Sequence, residues 1–242
     1  MSVEFANRGI VRDGLIFSID AFNRKSYISG STEIYDLHKN GDTGTLTNGV
    51  TSDGFSLGFN GANQWVDFQD EMLAKFEFGD PFSVDFWIKK QTGSSFDWVV
   101  GRQGIVGGAY RGWGVLYNTS GELYATLNDT SPTDRLYHST NTQYNNDTWN
   151  HHCFTFNGDI ATSGCTWYTN GVEDICTSTL VGNPTTMVDV TVGSRMVIGR
   201  RYNEAANYME SDLRTLNIYN KELTHSEVKR NYFALKEKVY GT

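Results

Sequence analysis

The sequence is poor in the residues that mark several large classes of protein. Its 242 residues include only three cysteines, too few for the disulfide framework of a small secreted scaffold, and three prolines. No apolar run approaches the roughly 20 residues that a membrane helix needs. The 20 basic residues are scattered among 28 acidic ones, so the concentrated basic surface of a nucleic-acid-binding protein is missing. We therefore expect an acidic globular protein that binds neither membranes nor nucleic acid.

The beginning of the chain also lacks the features of a secretory signal. Residues 1–8 have no positively charged segment, and no apolar segment follows them. The sequence thus predicts a protein that is synthesised in a cytoplasm without a signal peptide.

Glycine and aromatic residues are plentiful. The chain has 25 glycines, and 14% of its residues are aromatic, a combination that fits many strands joined by tight turns. From Phe82 to Ile88 every second residue is apolar, which is the pattern of a half-buried strand. Many such stretches at short spacing predict an all-β fold, a two-sheet antiparallel jelly-roll sandwich.

The last part of the chain predicts one short C-terminal helix at about residues 224–238. Thr224 and Glu227 have the spacing of a capping box. A one-sided apolar stripe follows at Val228, Tyr232, Leu235 and Val239. The length of the chain suits a single domain over residues 1–242, with a sandwich core at about 10–223.

Two of the cysteines flank a predicted hairpin. Asn170 and Gly171 form the strongest short hairpin signal, and a two-residue loop places Cys165 directly opposite Cys176. Such a pair lies within disulfide range. The spacing leaves two alternatives open: a disulfide formed in an oxidising exterior, and two adjacent reduced thiols.

An ordered set of motifs resembles the laminin-G-like, concanavalin-A-like jelly-roll domains found in virion structural proteins of tailed bacteriophages. The motifs occupy residues 14–27, 35–41, 44–49, 55–61, 82–88, 148–152, 167–172 and 216–224. The resemblance implies a sandwich that binds glycans or proteins, and its phage form implies a virion component made in the bacterial cytoplasm.

On this resemblance we expect a virion structural protein that decorates or extends the capsid, tail or fibre. Its expected partners are other virion proteins and further copies of itself. The alternative is a glycan-binding module that recognises the surface of the host cell.

Catalysis is not expected. Laminarinase-type hydrolases with this sandwich use a Glu-x-Asp-x-x-Glu strand, in which the first and last carboxylates do the chemistry. The nearest match begins at Glu210 and Asp212, but Thr215 stands where the last carboxylate belongs. The strand therefore lacks a group that could protonate a leaving group.

Two loops are candidate glycan- or partner-binding sites. The first is a glycine-rich stretch over residues 101–114, interpreted as a mobile hairpin loop, in which Tyr110, Arg111 and Trp113 can offer ring faces and a guanidinium. A Trp113 packed inside the sandwich would defeat that hypothesis. The second loop is bounded by Tyr202 and Tyr208. The sequence does not show whether the two loops lie together.

Metal binding has weaker support. His151 and His152 are adjacent on a strand, so they face opposite ways and cannot share one metal; we expect one to be buried and the other exposed. No cofactor is required, but laminin-G-like domains often bind calcium, so calcium remains an alternative without assigned ligands. The polar residues nearest the matching motifs, which could equally shape turns, are Asp20, Asn23, Asp36 and Asp212.

Overall fold

The computed structural model describes residues 9–38, 41–91, 96–144, 147–187, 194–202 and 204–241. The strands of these ranges are β1 Leu15–Asp20, β2 Glu33–Tyr35, β3 Thr43–Thr47, β4 Thr51–Ser52, β5 Leu57–Asn60, β6 Trp65–Phe68, β7 Phe82–Lys90, β8 Asp97–Val106, β9 Ala109–Tyr117, β10 Glu122–Ser131, β11 Asp134–Gln143, β12 Trp149–Phe156, β13 Cys165–Thr169, β14 Val172–Glu173, β15 Cys176–Val181, β16 Val197–Ile198 and β17 Glu210–Tyr219. A 3-10 turn lies at Thr162–Gly164, and the helix α1 spans His225–Tyr240.

The strands form two antiparallel sheets that pack face to face. Sheet A has the order β14-β13-β12-β7-β17-β5-β4, and β1 also pairs with β17. Sheet B has the order β15-β11-β10-β9-β8-β16-β6-β3-β2. The predicted all-β, concanavalin-A-like sandwich is therefore confirmed.

The core lies between the sheets and follows from the alternation along each strand. On β7, Phe82 and Phe86 point inward and are fully buried. On β9, Trp113 and Val115 face them from sheet B. Because successive side chains of a strand point to opposite faces, the residues between these positions lie on the outer faces of the sandwich.

The predicted C-terminal helix is confirmed and runs slightly further, to Tyr240. The capping box forms, with the Glu227 backbone N–H donating to Thr224 Oγ1 and the Thr224 N–H donating to Glu227 Oε2. Gly241 ends the helix in the left-handed region at φ 71°, where a residue without a side chain fits best. The helix covers the outer face of sheet A, where Tyr232 stacks on Trp87 with ring centroids 5.6 Å apart.

The predicted register of the cysteine hairpin is wrong. The hairpin forms at its tip, where Thr169 pairs with Val172, but its ladder ends at Glu173. The chain then crosses to sheet B, where Cys176 pairs with Thr140 of β11, while Cys165 pairs with Phe156 of β12. Both cysteines are free thiols in the structure. Burial raises the pKa of Cys176 to about 12, so its thiolate is scarce at neutral pH.

The interpretation of residues 101–114 as a mobile loop is also wrong. Most of the stretch lies in β8 and β9, and the turn between these strands is confined to Gly107 and Gly108. The glycines within the strands are needed for close packing. A Cβ on Gly112, whose φ is +105°, would lie 1.9 Å from the carbonyl oxygen of Arg102.

The two histidines do face opposite ways, but the expectation that one is exposed is wrong, because both are fully buried. His151 lies under α1 on the outer face of sheet A, with Nε2 2.8 Å from Asp85 Oδ2. His152 faces the interior, with Nδ1 2.9 Å from Thr169 Oγ1. Burial, and then the neighbouring His151, hold the pKa of His152 well below its usual value.

Candidate functional site

A groove of about 410 Å³ runs across the outer face of sheet B. We call it the sheet B groove. It is lined by Phe96, Trp98, Gln103, Tyr110, Leu116, Tyr124, Thr126, Asn128, Ser131, Arg135, Tyr137, Arg201 and Asn207. Strands β8 to β11 provide most of these residues, and the segment before β17 provides the last two.

Side chains alternate in direction along β10 and β11, and this alternation forms the polar wall of the groove. The leucines and alanine of β10 point into the core, so Tyr124, Thr126 and Asn128 point outward. On β11, Tyr137 lies directly opposite Thr126, and Arg135 lies opposite Asn128. Two neighbouring strands thus present a patch of tyrosine, hydroxyl, amide and guanidinium groups on one rigid surface.

Glycines on β9 give the groove its depth. Gly114 lies opposite Thr126, and Gly112 lies opposite Asn128, so the floor has no side chains at these two positions. The ring of Trp98 occupies part of the space above Gly114, since a Cβ there would lie 2.1 Å from that ring. A larger residue at Gly114 would push the indole out of its place.

The aromatic part of the groove is a pair of tyrosines with a guanidinium beside it. The rings of Tyr124 and Tyr137 have centroids 5.0 Å apart and a tilt of 45°. The Arg135 guanidinium carbon lies 4.2 Å from the Tyr137 ring centroid, in cation–π contact. Burial raises the pKa of Tyr124, so its hydroxyl remains protonated and able to donate a hydrogen bond.

Several polar atoms on the same wall are buried. Asn128 is 2% exposed, and its Nδ2 donates to Thr126 Oγ1 at 2.7 Å. Its Oδ1 has no hydrogen-bond partner within the described part of the chain. Arg135 Nη1 donates to Ser131 Oγ at 3.0 Å, whereas its Nε has no partner there. Both unpartnered atoms are buried, whereas the Arg135 side chain as a whole is half-exposed to the groove.

The opposite end of the groove is closed by a cluster around Arg201. Its guanidinium lies over the rings of Tyr110 and Trp98, at 4.0 and 4.7 Å from their centroids. Glu204 forms a salt bridge with Arg201 and accepts a hydrogen bond from the Tyr110 hydroxyl at 3.1 Å. This cluster fixes the segment before β17 against the tip of the β8–β9 hairpin.

The structure brings the two predicted loops together but changes their members. Tyr110 lines the groove, as do Arg201 and Asn207 from the second loop region, whereas Arg111, Tyr202 and Tyr208 do not. Trp113 is 1% exposed, and its Nε1 donates to the carbonyl of Ala74 at 2.9 Å. The prediction that Trp113 contacts a ligand is therefore wrong, because the indole is part of the core.

Sequence reasoning missed the groove residues on β10 and β11. Their signal was present on β10, since polar or aromatic residues alternate with apolar ones over 122–128, but 134–138 has a single apolar residue, Leu136. That alternation identifies outward-facing positions but does not distinguish an ordinary solvent-exposed face from a groove. The difference arises from the glycines of β9 and from Trp98, which belong to other strands.

The residues considered for calcium make other contacts. Asp20 Oδ1 accepts from the Phe22 N–H at 3.1 Å, and Asn23 Oδ1 accepts from the Lys25 N–H at 3.0 Å, as turn-forming side chains do. Asp36 Oδ1 accepts from the Ser18 N–H at 2.7 Å. Within the ranges that the structure describes, no three His, Cys, Asp or Glu residues are arranged to hold a metal ion. Calcium binding stays a prediction.

The strand compared with hydrolases lies away from the groove. Asp212 is on the outer face of sheet A, where its Oδ2 forms a salt bridge with Lys89 Nζ at 2.9 Å. Thr215 is buried opposite Trp87 on the same sheet. Among the residues that the structure describes, no helix, α1 included, is long and apolar enough to cross a membrane.

The sequence matches the profile of the concanavalin A-like lectin/glucanases superfamily over residues 59–229. The match covers well over half of the chain, and the two-sheet fold agrees with it. The protein belongs to this superfamily. A search of curated protein sequences gave no match.

Solved structures with the same fold include several binding domains and enzymes. The binding domain of Paraclostridial Mosquitocidal Protein 1 has a TM-score of 0.65 and 20% identity, over 90% of this chain and 52% of that one. The binding domain of botulinum neurotoxin serotype D has a TM-score of 0.61 and 16% identity, over 91% and 51%. Trypanosoma rangeli sialidase in complex with sialic acid has a TM-score of 0.60 and 15% identity, over 98% and 37%.

This chain thus spans about half the length of the toxin domains and about a third of the sialidase. At these identities, the comparison establishes the fold.

Proposed function

We propose that this protein is a non-enzymatic carbohydrate-binding domain and that the sheet B groove holds an oligosaccharide. One observation carries the proposal: Tyr124 and Tyr137 pair on the outer face of sheet B, beside the half-exposed Arg135 that lies over the Tyr137 ring. A sugar ring has apolar C–H faces and a polar rim of hydroxyl groups. Aromatic rings suit the faces, and fixed donors and acceptors suit the rim.

The groove is also built for recognition in shape and rigidity. Its walls are strands of a nine-stranded sheet, so the ring and polar groups keep their spacing. It is open at the surface and of a size that suits a short oligosaccharide. Membership of a superfamily named for lectins and glucanases, and neighbours described as binding domains, support the same class of ligand.

We propose binding without hydrolysis, and the composition of the groove supports this. Its lining residues include no aspartate and no glutamate, so a pair of carboxylates that could cleave a glycosidic bond is missing from the described part of the groove. The strand that resembles a hydrolase motif lies on sheet A, with Asp212 already paired with Lys89.

A glycan array tests this proposal. We expect the purified protein to retain at least one class of oligosaccharide. Replacement of Tyr124 or Tyr137 by alanine should weaken that binding by about tenfold or more, since stacked aromatic contacts are worth on the order of 1 kcal/mol beyond their buried area. Phe22→Ala is the matched control, because Phe22 is an exposed aromatic residue outside the groove. Absence of binding, or binding lost only in Phe22→Ala, would contradict the proposal.

The virion setting is a second part of the proposal, and the sequence resemblance supports it. In this setting the protein decorates or extends a phage capsid, tail or fibre, and the sheet B groove is available for glycans of the host surface. Mass spectrometry of purified phage particles tests the setting independently of sugar binding. High copy number in virions is the expected result, and absence from virions would exclude a virion role.

A further inference from the structure

The sheet B groove differs in charge from the rest of the molecule. The chain as a whole has a net charge of −8, whereas the charged residues that line the groove are two arginines, Arg135 and Arg201. A groove for neutral sugars needs no excess of positive charge. The roles of these two arginines therefore help to decide whether the oligosaccharide bound in the groove is neutral or acidic.

Arg201 is already neutralised. It forms a salt bridge with Glu204, and the same carboxylate also accepts the hydrogen bond of Tyr110. Its guanidinium lies over the rings of Trp98 and Tyr110 and holds the end of the groove together. Arg201 thus has a structural explanation that involves no ligand.

Arg135 has no comparable partner. The adjacent Asp134 accepts hydrogen bonds from the Asn183 N–H at 2.9 Å and the Thr133 hydroxyl at 2.8 Å. Asp129 accepts from the Thr185 N–H at 2.9 Å. Among the residues that the structure describes, no carboxylate forms a salt bridge with Arg135.

The Arg135 guanidinium is nevertheless held in one orientation. Its carbon lies over the Tyr137 ring and its Nη1 is fixed by Ser131, while the half-exposed side chain lines the groove. A planar guanidinium fits a carboxylate or sulfate through parallel N–H bonds, and a fixed one loses little freedom on binding. Asn128, directly opposite on β10, is buried and leaves Arg135 as the charged group at this point of the groove.

We infer that the oligosaccharide bound in the sheet B groove is acidic, and that Arg135 binds its carboxylate or sulfate group. This inference rests on the proposed carbohydrate-binding function. An acidic glycan fits better than a single-stranded nucleic acid, which would need several phosphate contacts along a basic track, whereas the groove has one unpaired arginine in an acidic protein.

Titration calorimetry with matched sugars separates charge from shape. The first pair of probes is tetragalacturonate and its fully methyl-esterified form, which share one ring framework but differ in charge. The second pair is a sulfated galactan tetrasaccharide and its desulfated form. A single-stranded oligothymidylate tests the nucleic-acid alternative. We expect at least one acidic probe to bind about tenfold more tightly than its neutral form, as one charge-assisted hydrogen bond provides.

The variants Arg135→Gln and Arg24→Gln complete the experiment. Both remove one positive charge, but Arg24 is exposed outside the groove. Arg135→Gln should abolish the preference for the acidic form, so that the ratio of the two affinities falls to about one. Arg24→Gln should leave both unchanged. Arg135→Lys should restore part of the preference, because charge remains while the planar fork is lost.

The outcomes distinguish the two levels of the proposal. Equal binding of acidic and neutral forms, or a preference that survives Arg135→Gln, would overturn this inference and leave the carbohydrate-binding function intact. Binding of none of the four sugars would overturn this inference, and the glycan array then decides the carbohydrate-binding function separately. Tight binding of oligothymidylate that is lost in Arg135→Gln would instead assign the groove to nucleic acid.

Discussion

Asn231 of α1 donates through Nδ2 to Oδ2 of Asp85 on β7, at 3.1 Å, and both residues are 1% exposed. Asp85 also contacts His151 Nε2 at 2.8 Å and accepts from Asn217 Nδ2 at 3.1 Å. Asn231 Oδ1 accepts from the backbone N–H of Val11 at 2.8 Å. A buried polar network, together with the apolar stripe, thus joins the C-terminal helix to sheet A and to the N-terminal segment.

Asn231→Leu should therefore lower the free energy of unfolding by about 2 kcal/mol or more, because it leaves the buried Asp85 carboxylate and the Val11 N–H without this partner. Urea unfolding followed by tryptophan fluorescence measures the change. Asn220→Ala, at an exposed position in the turn before the helix, is the matched control and should change stability little. Equal stability of the two variants would show that the network does not hold the helix.

Thr224→Ala should cost about 1 kcal/mol through loss of the capping box. The Thr224 hydroxyl accepts from the Glu227 N–H, and that donor would be left to solvent. Ser226→Ala serves as the control, because Ser226 is the second residue of the helix and is exposed. A Thr224 variant as stable as the Ser226 variant would mean that packing alone fixes the start of the helix.

Trp113→Ala should lower the free energy of unfolding by about 3–5 kcal/mol, since it empties a large core position and removes the hydrogen bond to Ala74. Tyr110→Ala, at the groove edge, should be much milder and should act on ligand binding. Comparison of thermal melting temperatures with sugar affinity separates the two roles. A stable Trp113→Ala protein that has lost sugar binding would restore the sequence-based hypothesis that Trp113 contacts the ligand.

Stability should fall as the pH drops from about 6.5 towards 4. Burial lowers the pKa of His138 to about 4, whereas an unfolded histidine titrates near 6.5. Between these values His138 is protonated in the unfolded chain and neutral in the folded chain. Its protonation therefore favours unfolding by up to about 1.4 kcal/mol per pH unit. His138→Gln should reduce the slope of unfolding free energy against pH in this range. An unchanged slope would contradict the assignment of this proton to His138.

The sandwich and its capped helix could be predicted from sequence because their signals are local. Apolar alternation from Phe82 to Ile88 and the spacing of Thr224 and Glu227 depend only on neighbouring residues. The predicted register of the Cys165 hairpin does not hold beyond Glu173, because the chain there pairs with β11 in the other sheet instead of continuing the hairpin. The local sequence pattern does not show which of these two partners the strand will pair with.

The groove could not be predicted from the sequence for a related reason. Trp113 and Tyr110 are three residues apart on one strand and so face opposite ways, but two aromatic residues do not show which face is the core and which is the groove. The depth of the groove requires Gly114 on β9 beneath Trp98 of β8, a relation between strands. Tyr137 joins Tyr124 only through the register of β10 and β11.

The most direct test of the central claim is a pair of NMR titrations of the isotope-labelled protein, one with tetragalacturonate and one with the sulfated galactan tetrasaccharide, following backbone amides and the arginine Nε–H groups. The account predicts that the largest shifts fall at Tyr124, Asn128, Arg135 and Tyr137, and that the Arg135 Nε–H signal moves. Unperturbed groove signals, or shifts concentrated on the α1 side of sheet A, would contradict it.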